Sequence, residues 1–502
     1  MDSVIRKCFN DNKNRIKNKL WRVILNKRTH IFAIASIVVL TFMAHSASDS
    51  LEKKDNFSIG EPVAFVNVNI IPMDRERLLE DYTVIVKSGH IVNIGPAGEV
   101  DTPNGVVRID GKGKYLLPGL AEMHGHSMDT DDLLLMVANG VTKLREMAGS
   151  PKSLQWRTKV AQGKLVGPNI CTAGPIIEGE PPPELKMLIP VYGKKLIATA
   201  EEGAKEVARQ KAMGFDFIKV YNNIPRDAYD GLVAAAKAHG LRVAGHVPFP
   251  VGLEGAFEAG QRTIEHLRGY IWKLVPEDAP EQPGLTLRDR AVSWQYADES
   301  RMAALAKATK EAGVYNCPTL MVARYMIVPK EDRDRYASRP FGVYNYPLPP
   351  PPKPGENKQA SWWDAFSEED FQAVKRGYPK REALVRALRD AGAKILAGTD
   401  MGPAGFALHV ELQNLVDAGL TPFEALEAAT TNAAEALGQS DLFGTVAVSK
   451  RADLILVSAN PLDDIANASK LRGVMVCGRW YPRDELDAYL AEVREGRSRR
   501  SE

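Results

Sequence analysis

Cysteine is scarce in this chain: four in 502 residues, standing far apart at Cys8, Cys171, Cys317 and Cys477. That scatter excludes a disulfide framework and a cysteine-based zinc site. The three in the body of the chain read as buried thiols, with one pair left able to close in an oxidising compartment. Long apolar runs are missing too: the stretch Ile31–Met43 falls short of the ~20 residues a comfortable membrane span needs. No internal repeat is present, and the formal net charge of +2 shows no excess of either sign. With 44% hydrophobic and 25% charged residues the composition is that of an ordinary globular protein, so it selects no substrate or partner.

The charges are unevenly placed. Residues 1–30 carry nine Lys or Arg against two Asp; residues 31–43 are uncharged, and Ala44-His45-Ser46 offers small residues where a signal peptidase cuts. Residues 1–46 therefore read as an export signal cleaved near Ser46, which places the mature protein in the periplasm. The alternatives are an uncleaved membrane anchor at residues 31–45 and a start codon downstream of Met1. Removing residues 1–46 turns the formal charge to −5, which disfavours nucleic acid as a partner. The membrane is reached only through the N-terminal segment, and a homo-oligomer is left open.

Residues 61–114 alternate short β-rich runs with turns (63–68, 83–86, 90–95 and 106–109), and residues 443–481 return to the same pattern. These stretches predict one small β-sandwich domain made from residues 60–115 and 440–485. Between them, residues 116–439 hold eight apolar runs, near 116–124, 141–146, 169–177, 215–221, 241–246, 262–266, 314–320 and 393–399, most of them following helix-like stretches. That alternation predicts an α/β fold, a TIM-type (β/α)8 barrel with its chemistry at the strand C-termini. A surplus near 325–370 reads as an inserted loop. Its polyproline run Pro349–Pro352 and its aromatics, Trp362 and Trp363 among them, fit either a lid or an exposed spacer. The loop Glu178–Pro183 has the same two readings.

Six residues that can hold a metal pair fall at the ends of these runs: His124 and His126, Lys219, His246, His266 and Asp400. Alternate residues of a strand point the same way, so His124 and His126 can face one ion. The order His-x-His, Lys, His, His, Asp, led in by Pro118-Gly119-Leu120, resembles the amidohydrolase superfamily with a binuclear site. Asn139-Gly140-Val141-Thr142, Ile218-Lys219-Val220-Tyr221 and Ala418–Leu426 are similar to its imidazolonepropionase-related branch, which includes metal-dependent Xaa-Pro and other dipeptidases. The resemblance covers about residues 60–485.

It implies two divalent ions, zinc by expectation with manganese or cobalt tolerated, His124, His126 and Asp400 holding one and His246 and His266 the other. An ammonium cannot ligate a metal, so Lys219 is either modified or irrelevant to the site. The resemblance implies modification: carbon dioxide carboxylates the lysine, which then bridges both ions. The alternative is a lysine that pairs with Asp400 or Glu265, and with it a mononuclear, deaminase-like site. Paired ions hold a hydroxide nucleophile at neutral pH, and Asp400 is the acid–base candidate.

Tyr221, two residues beyond Lys219, aims at the same mouth. Similar dipeptidases place a substrate carboxylate there; alternatively the ring closes the barrel rim. Arg145 and His409 are further substrate-contact candidates, set against an arginine pairing with an acid and a histidine on a helix face with Glu411. The expected function is exported hydrolysis of dipeptides (Xaa-Pro-like) or N-acyl amino acids. Cyclic amides, lactones or carbamates are the alternative substrates, and a non-catalytic barrel is the alternative of another class.

Overall fold

The computed structural model describes residues 61–182, 193–345 and 365–501. The leader residues 1–46, the Pro-rich run and Trp362-Trp363 lie outside them. The chain opens with β1 (Val63–Ile70), β2 (Leu79–Lys87), β3 (His90–Pro96), β4 (Val107–Asp110) and β5 (Tyr115–Pro118). A middle series follows: β6 (Leu120–Gly125), β7 (Val141–Glu146), β8 (Asn169–Thr172), β9 (Ile177–Glu178), β10 (Lys195–Leu196), β11 (Phe217–Val220), β12 (Arg242–Gly245), β13 (Thr263–Glu265) and β14 (Tyr315–Cys317). The chain then returns to strand at β15 (Leu454–Val457), β16 (Leu471–Val476) and β17 (Arg479–Pro482).

Both chain ends meet in one eight-stranded sheet ordered β17-β16-β15-β5-β1-β2-β3, with β4 beside β1. Alternation sets its inner face: Val63, Phe65, Val68 and Ile70 of β1 pack with Leu454 and Leu456 of β15 in one apolar cluster. The run 116–124, expected as a single barrel strand, is two. Residues 116–118 pair with β15, and the chain passes into the parallel series at Gly119. Glycine is required at this crossing because a Cβ there would lie 2.2 Å from the Thr142 hydroxyl oxygen.

The middle strands pair in parallel, β6-β7-β8 in one group and β11-β12-β13-β14 in another. Bridges join Ala173 to Phe217 and Asn316 to Ile395, and the Met123 amide donates to the Ala397 carbonyl at 3.0 Å. Helices alternate with these strands, and several begin on polar caps. The helix Thr130–Ala138 starts where Asp129 accepts from the amides of Asp131 and Asp132, and Glu368–Asp390 starts on the Ser367–Asp370 capping box.

Four sequence expectations need correction here. Residues 393–399, expected as the eighth barrel strand, form no strand and contribute only the isolated bridge of Ile395 to Asn316. Residues 443–446 form no strand. The described part of the insert is structured: Lys330–Ala337 is helical, and Tyr325 stacks on Tyr336 at 4.8 Å and Tyr344 on Phe406 at 4.9 Å. Finally, the chain does not stop at the sheet. The helix Arg483–Ser501 carries Arg497, 2% exposed, back to Asp132 at 2.9 Å. Among the described residues no helix is long and apolar enough to cross a membrane.

Candidate metal centre

Four histidines and Asp400 converge at the C-terminal ends of the parallel strands, His124 within β6 and His126, His246 and His266 just past β6, β12 and β13. His124 leaves β6 with its ring centroid 5.3 Å from that of His126 and 4.7 Å from that of His266, and His246 lies 4.9 Å from His266. Asp400 sits among them, its carboxylate 3.1 Å from His126 Nε2, 3.8 Å from His124 Nε2 and 3.7 Å from His266 Nε2. Ligand atoms of His124, His266 and Asp400 all lie within 4.8 Å of one another. The structure thus groups His266 with His124 and Asp400.

The outer nitrogens of the rings are occupied. His124 Nδ1 donates to Glu265 Oε2 at 2.8 Å, His246 Nδ1 to Asn222 Oδ1 at 2.7 Å and His266 Nδ1 to Thr319 Oγ1 at 2.6 Å. Thr319 gives its own hydroxyl proton to the Pro318 carbonyl, which fixes the direction of the last bond. A ring that donates from Nδ1 presents the Nε2 lone pair, the form in which imidazole binds a divalent ion. On the donor set and on these partners, the residues fit a metal site.

Electrostatics agree. Burial, with Lys219 nearby, lowers His124 to about 4. Burial and neighbouring cations also hold His246 and His266 below the usual range, so three rings are neutral at pH 7. His126 goes the other way, rising to about 10 against its burial because Asp400 and Glu146 flank it. A cation between these two acids is what the site calls for, and a metal would displace that proton. Asp400 is held below the usual carboxylate range, its burial outweighed by the histidines.

Lys219 is 1% exposed on β11 and makes no ion pair among the described residues. Burial lowers it to about 8, against the pull of Glu265 and Asp400, so roughly one amine in ten is neutral at pH 7. Tyr221 stacks on His246 with centroids 4.1 Å apart and lines the cavity at the site. Burial raises its phenol, which stays a donor.

Two candidates are corrected. Arg145 is 2% exposed and does not line the cavity at the histidines but a separate one with Asp216 and Arg242: its guanidinium donates to both oxygens of Glu265, at 2.9 and 3.0 Å, and to Thr263 Oγ1 at 2.9 Å. It lies under the site and holds Glu265, which holds His124. His409 lies on the helix Phe406–Asp417 and donates from Nε2 to the Asn139 carbonyl at 2.8 Å, away from the histidine cluster. That bond ties its helix to the end of Thr130–Ala138.

The sequence reading missed several supports. Glu122, buried with its carboxylate on the amides of His124 (2.7 Å) and Thr399 (3.0 Å), clamps the segments that present His124 and Asp400. Its place two residues before His124, on the same strand face, was a readable signal. Asn222 and Thr319 come from separate loops and gave none. His266, Thr319 and Asp400 all adopt positive φ, at 60°, 46° and 51°. Such backbone costs ~1–3 kcal/mol per residue and gathers at functional sites.

Gly398 lets the segment that leads to Asp400 pass close to His124, since a Cβ there would lie 2.6 Å from the His124 amide nitrogen and 2.5 Å from Cys317 Sγ. Gly398→Ala is expected to cost ~1–3 kcal/mol by overpacking and to reduce metal retention. Thermal melting and metal analysis of the purified variant check both, and an unchanged variant would mean the contact is slack.

Residues 115–481 match the model of the amidohydrolase family. The ochratoxinase of Aspergillus niger is 39% identical over 101 residues, covering 18% of this chain and 21% of that protein. The imidazolonepropionase of Deinococcus deserti is 41% identical over 100 residues, covering 18% and 25%. The chain thus matches about a quarter or less of these relatives' lengths. A crystal structure of a Xaa-Pro dipeptidase with bound methionine in the active site superposes with a TM-score of 0.62 at 20% identity, over 84% of this chain and 100% of that one. This last likeness is one of fold, that of a TIM-like barrel.

Proposed function

Because the chain belongs to the amidohydrolase family, we propose that it is a hydrolase acting on C–N bonds and that it cleaves dipeptides or N-acyl amino acids at a site of two divalent ions. The observation that carries this reading is the convergence of His124, His126, His246, His266 and Asp400, with outer partners fixing three of the rings. Two zinc ions, held by these residues and by Lys219 carboxylated with carbon dioxide, would fit them. Such ions, when bound, supply Lewis acidity that lowers the pKa of water and polarises a carbonyl.

The chain's own groups do the rest. Asp400 accepts the proton of the attacking water at a carboxylate oxygen and delivers it to the departing amine nitrogen, while a C–O bond forms and the C–N bond breaks. Tyr221 donates its phenol proton to a substrate carboxylate and orients the amide. Glu265, itself held by Arg145, keeps His124 aimed inward.

The fold supports this reading. The bridges at Ala173–Phe217 and Asn316–Ile395, with the Met123–Ala397 hydrogen bond, fit closure of the parallel strands, here residues 116–439, into one barrel. Contact of Phe65 with Trp480, whose strands are not neighbours, at 5.2 Å fits a terminal sheet folded over as a sandwich. For the leader, residues 1–46, we propose export to the periplasm, supported by its basic and then apolar order; the mass of the mature chain tests it.

The reading is tested by measuring amine release from a panel of dipeptides and N-acyl amino acids with zinc-loaded protein in bicarbonate. Turnover clustered on one C-terminal residue class supports it; silence across the panel with metal bound sinks it. The bridging role of Lys219 has its own test. Lys219→Ala is expected to lower metal content from two equivalents towards one and activity by ~100-fold, on the scale of lost metal supports. Undiminished hydrolysis would favour the mononuclear alternative.

A further inference from the structure

A cavity of about 170 Å³, open to solvent, adjoins the histidine cluster. Tyr221, His246, His266 and Asp400 line one side, and three arginines, Arg268, Arg290 and Arg381, line another. The arginines come from separate segments of the chain, and none makes an ion pair among the described residues. Among the described residues the buried Nε of each has no hydrogen-bond partner. Arg290 is 8% exposed and donates to the Leu285 carbonyl, while Arg381 lies over the Trp294 ring at 4.3 Å.

Nearby acids are engaged elsewhere. Glu178 accepts from the amides of Asn223 and Gly179 and lies 4.0 Å from Lys194; Asp289 faces Arg288 at 3.5 Å; Asp400 sits among the histidines. Three desolvated cations thus share one pocket in which, among the described residues, Glu178, Asp289 and Asp400 act on Arg268 and Arg290 only at a distance and form no ion pair with them, a deficit that an anionic ligand would fill, because a buried charge is tolerated when it is paired. A single carboxylate, already served by Tyr221, leaves most of that deficit unmet. The guanidinium fork matches carboxylate geometry; burial lowers the proton affinity of all three arginines, Arg381 to about 9, and a bound carboxylate would favour their charged forms.

Resting on the amide-hydrolase reading above, we propose that the leaving part of the substrate is dicarboxylic: the enzyme prefers dipeptides or N-acyl amino acids ending in glutamate or aspartate. The α-carboxylate meets Tyr221, and the side-chain carboxylate is held by Arg268, Arg290 and Arg381. The methylenes between them lie against Ile271, Leu287 and Trp294, which line the same cavity. These arginines set specificity.

The test compares Ala-Glu with Ala-Leu as substrates of the zinc-loaded enzyme, and L-glutamate with L-leucine as ligands by calorimetry. At least a tenfold preference for the acidic member is expected in both. Arg290→Gln and Arg381→Gln should each lower that preference about tenfold, through KM more than kcat, while Arg381→Lys, which keeps the charge, should retain part of it. Equal handling of the acidic and neutral members by the wild type overturns the proposal without touching the hydrolase reading. Arginine-dependent preference for glutamate binding, with no dipeptide cleaved, would keep the pocket and sink the hydrolase reading.

Discussion

Asp400→Asn is expected to lower kcat/KM on any amide the enzyme cleaves by ~10³- to 10⁴-fold while leaving the fold intact. The carboxylate has two tasks, ligation and proton transfer, and the amide performs neither well: it carries no charge and its nitrogen cannot accept a proton. General acid–base catalysis alone contributes ~10²- to 10⁴-fold, and weakened ligation adds to that. The fold should survive because the Asp400 amide still donates to the His124 carbonyl, at 2.9 Å, and because asparagine tolerates the φ of 51° found there. The same substitution removes the partner that raises His126, so the variant's His126 should titrate lower. Steady-state kinetics at saturating metal, with thermal melting as the control, decide the matter; retention of a tenth of the activity would remove Asp400 from the proton path.

Glu265→Leu is expected to destabilise the metal-free protein by ~3–5 kcal/mol. Glu265 is fully buried and bonded to Arg145 and His124, so its removal strands a guanidinium that is 2% exposed. Breaking a buried pair from one side costs about that much, whereas replacing both partners by apolar groups can be nearly neutral. The double variant Arg145→Met/Glu265→Leu should therefore recover much of the stability. It should not recover metal affinity, since His124 has lost the acceptor that sets its tautomer. Denaturant unfolding and metal titration of the three variants separate the effects. A single variant as stable as the wild type would mean that Arg145 finds another partner.

The metal-site residues were legible because each ends a short apolar run, and strand alternation fixes which neighbours share a face. His124 and His126 show this most plainly. Arg145 ends a strand too, yet it points beneath the site, and sequence does not distinguish a side chain at the mouth from one in the layer below. His409 misled because proximity to Asp400 in the chain is not proximity in space: the intervening turn carries it onto a helix face.

Gly119 hid a crossing between two sheets inside one apolar run. The terminal helix left a signal that was passed over, since Leu486, Tyr489, Val493 and Arg497 recur at helical spacing and are all buried. Arg268, Arg290 and Arg381 left none, coming together from segments separated by up to 113 positions. Only the folded chain brings them to one cavity.

The central claim is metal-dependent amide hydrolysis, and the most direct test follows one protein sample through chelation and reconstitution. Metal content and amine release from its best dipeptide substrate are read at each stage. The account predicts that activity falls with metal and returns with about two equivalents of zinc in bicarbonate. Full turnover by the metal-free protein would contradict it.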